Sequence, residues 1–268
     1  MNLQNLTVSK EGNIGIISIN RPEVLNVLNS NTLEELDEVL IELGNDSDVY
    51  VIILTGSGKS FAAGADIESM VDMNPDDAHN FASYGASIYR KIECFEKPII
   101  AAVNGYALGG GFELALACDI IVASERAKFG LPEVGLGIMP GFSGSVRLPE
   151  LIGSKKAKEL IFTGKIITAE EAEKIGLVNA VTNPDSTLDY AIDIAKQISM
   201  KGQIGVRYSK KSITHSFDMD MNSAIAMEAS LFSLCFASHD QKEGMVAFLN
   251  KRKPNFTNGN ITSKEGKV

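Results

Sequence analysis

The chain has 268 residues, 44% of them hydrophobic and 22% charged, a balance that fits one large globular domain or a domain with an appendage. A net charge of −9 argues against a binder of nucleic-acid phosphates, which carries a basic stripe. Three cysteines without a CxxC pair and three histidines without an HxxxH or HExxH pattern exclude a disulfide framework and a histidine metal site, so no metal is expected. The N-terminus lacks a charged-then-apolar leader and no apolar run is long enough to span a bilayer, so the expected setting is cytoplasmic, away from membranes.

Residues 14–19, Ile-Gly-Ile-Ile-Ser-Ile, read as a short strand ended by Asn20-Arg21-Pro22. Thr32-Leu33-Glu34-Glu35 has the pattern of a capping box, opening an amphipathic helix that runs to Leu43. Residues 49–54 form a continuous apolar run, the mark of a strand buried on both faces. A loop at 56–60 and a polar helix at 76–93 follow, then apolar strands at 99–103 and 120–123. Such alternation defines the α/β class, and strand starts near Ile14, Val51 and Ile99 hint at a repeated strand, loop and helix unit.

The second half reads differently. A helix at 154–162 closes on Gly164, and Thr168-Ala169-Glu170-Glu171 is a second capping box closing on Gly176. Helices are predicted at 188–200, 205–216, 221–237 and 242–253, the last stopped by Pro254, with a loose polar tail at 255–268. The expected organisation is an α/β core over 1–195 bearing the site, and a helical region with its tail over 196–268.

Two glycine turns carry the chemistry. Phe61-Ala62-Ala63-Gly64-Ala65-Asp66-Ile67 follows the 49–54 strand, and Asn104-Gly105-Tyr106-Ala107-Leu108-Gly109-Gly110-Gly111-Phe112-Glu113 follows the 99–103 strand into a helix start. Bare backbone N–H groups at such turns approach a ligand closely. Glu113 lies just past the second turn, and Phe129-Gly130-Leu131-Pro132-Glu133 adds another carboxylate. Fixed donors beside acid/base groups suit chemistry at a carbonyl.

These three segments together resemble the crotonase (enoyl-CoA hydratase/isomerase) superfamily. Supporting pieces occur in family order: Asn20-Arg21-Pro22 with Leu25-Asn26, Pro140-Gly141 with Arg147-Leu148, Thr163-Gly164, Gly176-Leu177-Val178, and Ala247-Phe248 with Lys251-Arg252-Lys253. The resemblance runs from about Leu6 to Phe256. It implies a spiral of β-β-α turns with a C-terminal helical trimerisation region, assembled as a homotrimer or a dimer of trimers. It implies reversible hydration of a short trans-2-enoyl-CoA to the 3-hydroxyacyl-CoA. No cofactor is implied, because coenzyme A arrives as part of the substrate.

By the same resemblance, the N–H groups of Ala65 and Gly110 form the oxyanion hole. Glu113 and Glu133 are the two catalytic carboxylates; we assign Glu113 as base toward the water and Glu133 as proton donor to C2, the alternative being that they share both roles through the water. Val24, Leu25 and Val27 line the adenine side, and Ala63, Asp66, Ile67, Tyr106, Leu108, Gly109 and Pro132 complete the substrate-binding set. Lys251, and less directly Lys59, reach coenzyme phosphates. Asp66 reads as a structural cap of the helix after the turn before it reads as a catalyst. Isomerases of the family usually lose the Glu113 acid, so the pair favours hydration over isomerisation. An RNA-binding member needs a lysine-rich surface, against the net charge.

The sequence departs from the family pattern in three places. Phe142-Ser143-Gly144-Ser145 replaces the usual paired glycines and threonine, which brings the Ser143 side chain toward the carboxylates or the acyl pocket. Glu23 and Glu68 stand where some members carry lysines.

Overall fold

The computed structural model describes residues 3–257. Its strands are β1 (Leu6–Glu11), β2 (Ile14–Ile19), β3 (Val51–Gly56), β4 (Ser60–Ala62), β5 (Ile99–Val103), β6 (Tyr106–Leu108), β7 (Ile120–Ser124), β8 (Lys128–Gly130), β9 (Ile167–Thr168) and β10 (Ala180–Thr182). Its α-helices are α1 (Ser30–Asn45), α2 (Ile67–Met70), α3 (Pro75–Glu93), α4 (Gly110–Leu116), α5 (Gly144–Ile152), α6 (Ser154–Thr163), α7 (Ala169–Lys174), α8 (Thr187–Ser199), α9 (Gln203–Ser216), α10 (Met221–Cys235) and α11 (His239–Leu249).

The strands form two sheets, ordered β1-β2-β3-β5-β7-β10 and β4-β6-β8-β9. In the first, only the β1–β2 edge pair is antiparallel; β2, β3, β5, β7 and β10 run parallel. In the second, β4, β6 and β8 are parallel and β9 turns back. Each turn of the chain gives one strand to each sheet: β3 then β4, β5 then β6, β7 then β8. This is the β-β-α spiral, and its strands β3 and β5 are buried along their whole length. Continuous Val/Ile/Leu/Ala runs are what a two-sided parallel sheet requires.

Several expected boundaries moved. The glycine turns do not follow the long strands directly. They follow β4 and β6, three-residue strands of the second sheet too short to show a periodicity. The first capping box is not one: α1 is capped by Asn29, whose side chain accepts from Thr32 N–H at 2.8 Å. Glu35 is instead buried and accepts the N–H groups of Gln4, Asn5 and Leu6, tying the start of β1 to α1. The second box holds: Thr168 accepts from Glu171 N–H at 3.1 Å while Glu171 accepts from Thr168 N–H at 2.9 Å.

Helix α11 ends at Leu249, well before Pro254, because Lys251 turns left-handed with φ 51°. The tail begins tied rather than loose: Asn255 N–H donates to Glu243 and Thr257 N–H to Asp240, each at 2.7 Å. The rest of the expected loose tail, 258–268, lies outside the described residues. Helices α9 and α10 pack on each other, and α10 buries only Leu231. No described helix is long and apolar enough to cross a membrane.

Candidate active site

The loop after β2 builds one wall. Arg21 N–H donates to Asn26 Oδ1, and Asn26 Nδ2 donates to Ser57 and Ser60 carbonyls, which folds the loop back on itself with Leu25 and Asn26 at φ 55° and 59°. That loop then grips the first glycine turn in a short ladder. Ala63 N–H donates to Leu25 O, Leu28 N–H to Gly64 O, and Asp66 N–H to Leu28 O at 2.9 Å. Ala65, between these bonds, has its orientation set by neighbours on both sides.

The second turn presents α4. Gly109 sits at φ 49°, ψ −128°, and a Cβ there would lie 3.0 Å from Glu133 Oε1. Only glycine takes that backbone without strain. Gly110 opens the helix, so its N–H has no partner within it. Gly111 lets α4 approach β4: a Cβ on it would meet Ala62 O at 2.0 Å. The approach brings the two turns together, with the Ala65 nitrogen 3.7 Å from where a Gly110 Cβ would sit. Ala65 and Gly110 line one cavity of about 700 Å³, and Gly110 opens α4 at the positive end of its dipole.

Glu113 and Glu133 line the same cavity. Glu113 is 2% exposed, one α-helical turn into α4. Its Oε1 accepts two backbone N–H groups, from Phe142 at 2.8 Å and Gly144 at 2.6 Å. Burial pushes its pKa up to about 7; the Glu133 charge adds to the rise, and the two N–H bonds oppose it. Glu133 opens the turn after β8, and burial raises its pKa as well. Its Oε2 is buried and finds no hydrogen-bond partner among the described residues. An acceptor left this way suits a water or a substrate proton.

Of the residues expected at the site, the cavity brings together Val24, Val27, Ala63, Ala65, Asp66, Ile67, Gly109, Gly110, Glu113, Pro132 and Glu133. Leu25 serves through its carbonyl, and Leu108 and Tyr106 belong to β6 beneath the turn rather than to the wall. Lys59 and Lys251 are exposed and outside the cavity of a single chain. Asp66 holds the cap position of α2 without a side-chain cap bond and faces Arg21 at 3.6 Å.

The departure at 142–145 has a different outcome from the one expected. Ser143 takes the left-handed conformation, φ 82°, between the two amides that hold Glu113. It is the Phe142 ring that forms cavity wall, packed on Phe81 and Tyr89. Sequence reasoning missed this ring, Arg21, and the three methionines Met70, Met73 and Met139 of the wall. Phe142 stood beside a motif glycine and offered a signal; Met70 ends the four-residue α2, and Met73 and Met139 lie in unpatterned loop.

The backbone of Ala65 and Gly110 shares one cavity with the carboxylates of Glu113 and Glu133, a set of groups suited to acid–base chemistry beside a carbonyl. The chain belongs to the enoyl-CoA hydratase/isomerase family, whose profile matches residues 9–259. It is 49% identical over 254 residues to the short-chain-enoyl-CoA hydratase of Clostridium acetobutylicum, covering 94% of this chain and 97% of that one. It is 49% identical over 257 residues to the crotonyl-CoA hydratase of Syntrophomonas wolfei, covering 96% and 99%. The crystal structure of an enoyl-CoA hydratase from Bacillus anthracis superposes with a TM-score of 0.92 at 39% identity, covering 95% of this chain and all of that one.

Proposed function

We infer that the protein hydrates short-chain trans-2-enoyl-CoA thioesters, crotonyl-CoA in type, to 3-hydroxyacyl-CoA, reversibly. The observation that carries this is the pair Glu113 and Glu133 in the cavity that also holds the Ala65 and Gly110 amides. The thioester oxygen sits between the two amides, which stabilise the enolate as water adds at C3. Donors of this kind are worth on the order of 3–4 kcal/mol each in a well-studied protease. Fixed by the ladder to Leu25 and Leu28 and by the α4–β4 contact, they need no rearrangement during the reaction.

Glu113 accepts the proton of the water. Its Oε1 is pinned by two N–H groups, which favour the anion and fix the plane of the carboxylate. Glu133 holds a proton for C2, its ionised form disfavoured by burial. Burial opposes this order: it raises both carboxyls and carries Glu113 up to about 7. The pH test developed below decides the division of labour between the two carboxyls.

Exposed apolar side chains on the C-terminal helices support self-association: Phe232 at 63%, Phe248 at 83% and Leu249 at 78% exposed are left uncovered by the described residues. A trimer or a pair of trimers is the form we propose, with Lys251 brought to a neighbour's coenzyme phosphates. Three free cysteines fit a reducing, cytoplasmic setting.

The test is loss of the conjugated enoyl-thioester absorbance of crotonyl-CoA. Rapid loss by the wild type, falling by roughly 10²–10⁴ in Glu113→Gln and in Glu133→Gln, is expected. A wild type that binds the thioester but leaves its absorbance unchanged moves the assignment to another chemistry of the family.

A further inference from the structure

Tyr89 is a buried, titratable side chain for which the hydration chemistry has so far given no use. It lies on α3, fully buried, and its hydroxyl donates to the Gly110 carbonyl at 2.8 Å. Its ring meets Phe142 edge-on, centroids 5.3 Å apart at 77°. Phe142 in turn covers Gly110, 3.1 Å from where a Cβ would be, and gives its N–H to Glu113. Burial and the neighbouring Glu113 charge both push the tyrosine pKa up, so the phenol stays a donor.

Gly110 is a poor anchor by itself. It has no side chain, it follows a glycine at positive φ, and it is the first residue of a helix of only seven. The α4–β4 contact is made by Gly111, one residue further on, and the hydroxyl bond adds a hold on the Gly110 carbonyl itself. A hydroxyl bond to its carbonyl sets the plane of the peptide that follows and, through the helical dihedrals, the direction of the N–H that precedes. The ring alone fills the space and supports Phe142; the oxygen alone reaches Gly110. Packing and positioning are thus separable by one atom.

We propose that Tyr89 is a positioning residue of the oxyanion hole, its hydroxyl holding Gly110 so that the N–H points at the thioester oxygen. The proposal rests on the hydratase reading for the reaction, though an oxyanion hole serves any enolate chemistry at this site. A misdirected donor stabilises charge less, while a neutral ligand that relies on the rest of the cavity binds as before.

The experiment compares wild type with Tyr89→Phe in three measurements: turnover of crotonyl-CoA, affinity for butyryl-CoA, and affinity for acetoacetyl-CoA. The last ionises to an enolate whose absorbance on binding reports charge on the thioester oxygen. The expected result is a kcat lower by about 5- to 20-fold, a fraction of the 10²–10³ for losing a whole donor, with KM and butyryl-CoA affinity within about twofold. Acetoacetyl-CoA affinity and its enolate band fall by a similar 5- to 20-fold. Unchanged kcat and enolate binding overturn the proposal. So does an equal loss for both ligands, which marks a general loosening of the fold. Should the wild type fail to hydrate crotonyl-CoA, the hydratase reading falls, and the two affinities still decide the role of Tyr89.

Discussion

Glu113 offers a perturbation whose two consequences have opposite signs. Its carboxyl is raised from an ordinary 4.5 to about 7, chiefly by burial. The folded protein therefore binds this proton to higher pH than the unfolded chain does. Between 4.5 and about 7 the native state holds the extra proton, so its relative stability falls as pH rises, and above 7 the penalty is fully present. At ~1.4 kcal/mol per pKa unit the penalty is ~3 kcal/mol. Glu113→Gln keeps an oxygen for the Phe142 and Gly144 amides and removes the charge. It is expected to raise stability at pH 8 by up to ~3 kcal/mol, or ~5 °C in Tm, with the gain vanishing near pH 4.5.

The same value fixes the acid limb of activity. If Glu113 accepts the water's proton, kcat/KM on crotonyl-CoA drops below about pH 7, reaching roughly a tenth of its plateau at pH 6. Thermal melts at pH 5 and 8, together with a kcat/KM profile from pH 5.5 to 9, check both signs. Full activity at pH 6 would refute the assignment, because Glu133 would then be the acceptor and Glu113 the donor. A Glu113→Gln protein no more stable than wild type at pH 8 would refute the burial argument itself.

Four other outcomes follow from the geometry. Gly109→Ala faces both a positive φ and a Cβ 3.0 Å from Glu133 Oε1, so thermal melts should show a loss of ~1–3 kcal/mol, with hydration reduced beyond what unfolding explains. Ser143→Gly removes a non-glycine left-handed residue, φ 82°, and should stabilise by ~1 kcal/mol in denaturant melts while leaving Glu113 held. Glu35→Ala orphans three N–H groups at the start of β1 and should cost at least ~3 kcal/mol in the same melts, with the KM of the surviving fold unchanged. Lys251→Ala should raise KM for crotonyl-CoA at constant kcat if a neighbour's coenzyme is its target; an unchanged KM at low salt removes that role.

What the sequence revealed depended on how far each feature spoke for itself. β3 and β5 announced themselves because a strand buried on both faces must be apolar at every position, and Ile99–Val103 leaves no other reading. β4 and β6 are just as necessary to the site, yet three residues cannot show a period, so the glycine turns were attached to the wrong strands. Glu113 and Glu133 were visible by their place behind the glycine turns. Thr32 and Glu35 fit a capping pattern that a competing partner overrode: Asn29 offered the cap, and the β1 amides claimed Glu35.

The turn at 142–144 shows why the remainder of the site stayed hidden. In the sequence it is a departure from pattern, and the expectation falls on Ser143 because it brings a side chain toward the carboxylates or the acyl pocket. In the structure the backbone of this turn holds the carboxylate. Two amides on either side of Ser143 hold Glu113, and the left-handed turn at Ser143 is what points them both at one oxygen. The Phe142 ring, placed by the same turn, covers Gly110 and meets Tyr89 from α3. One irregular turn thus fixes the carboxylate, the cavity wall and the support of the oxyanion amide together. A sequence motif records which residues are present; this coupling depends on where the main chain points, and that is set by packing between elements far apart in the chain.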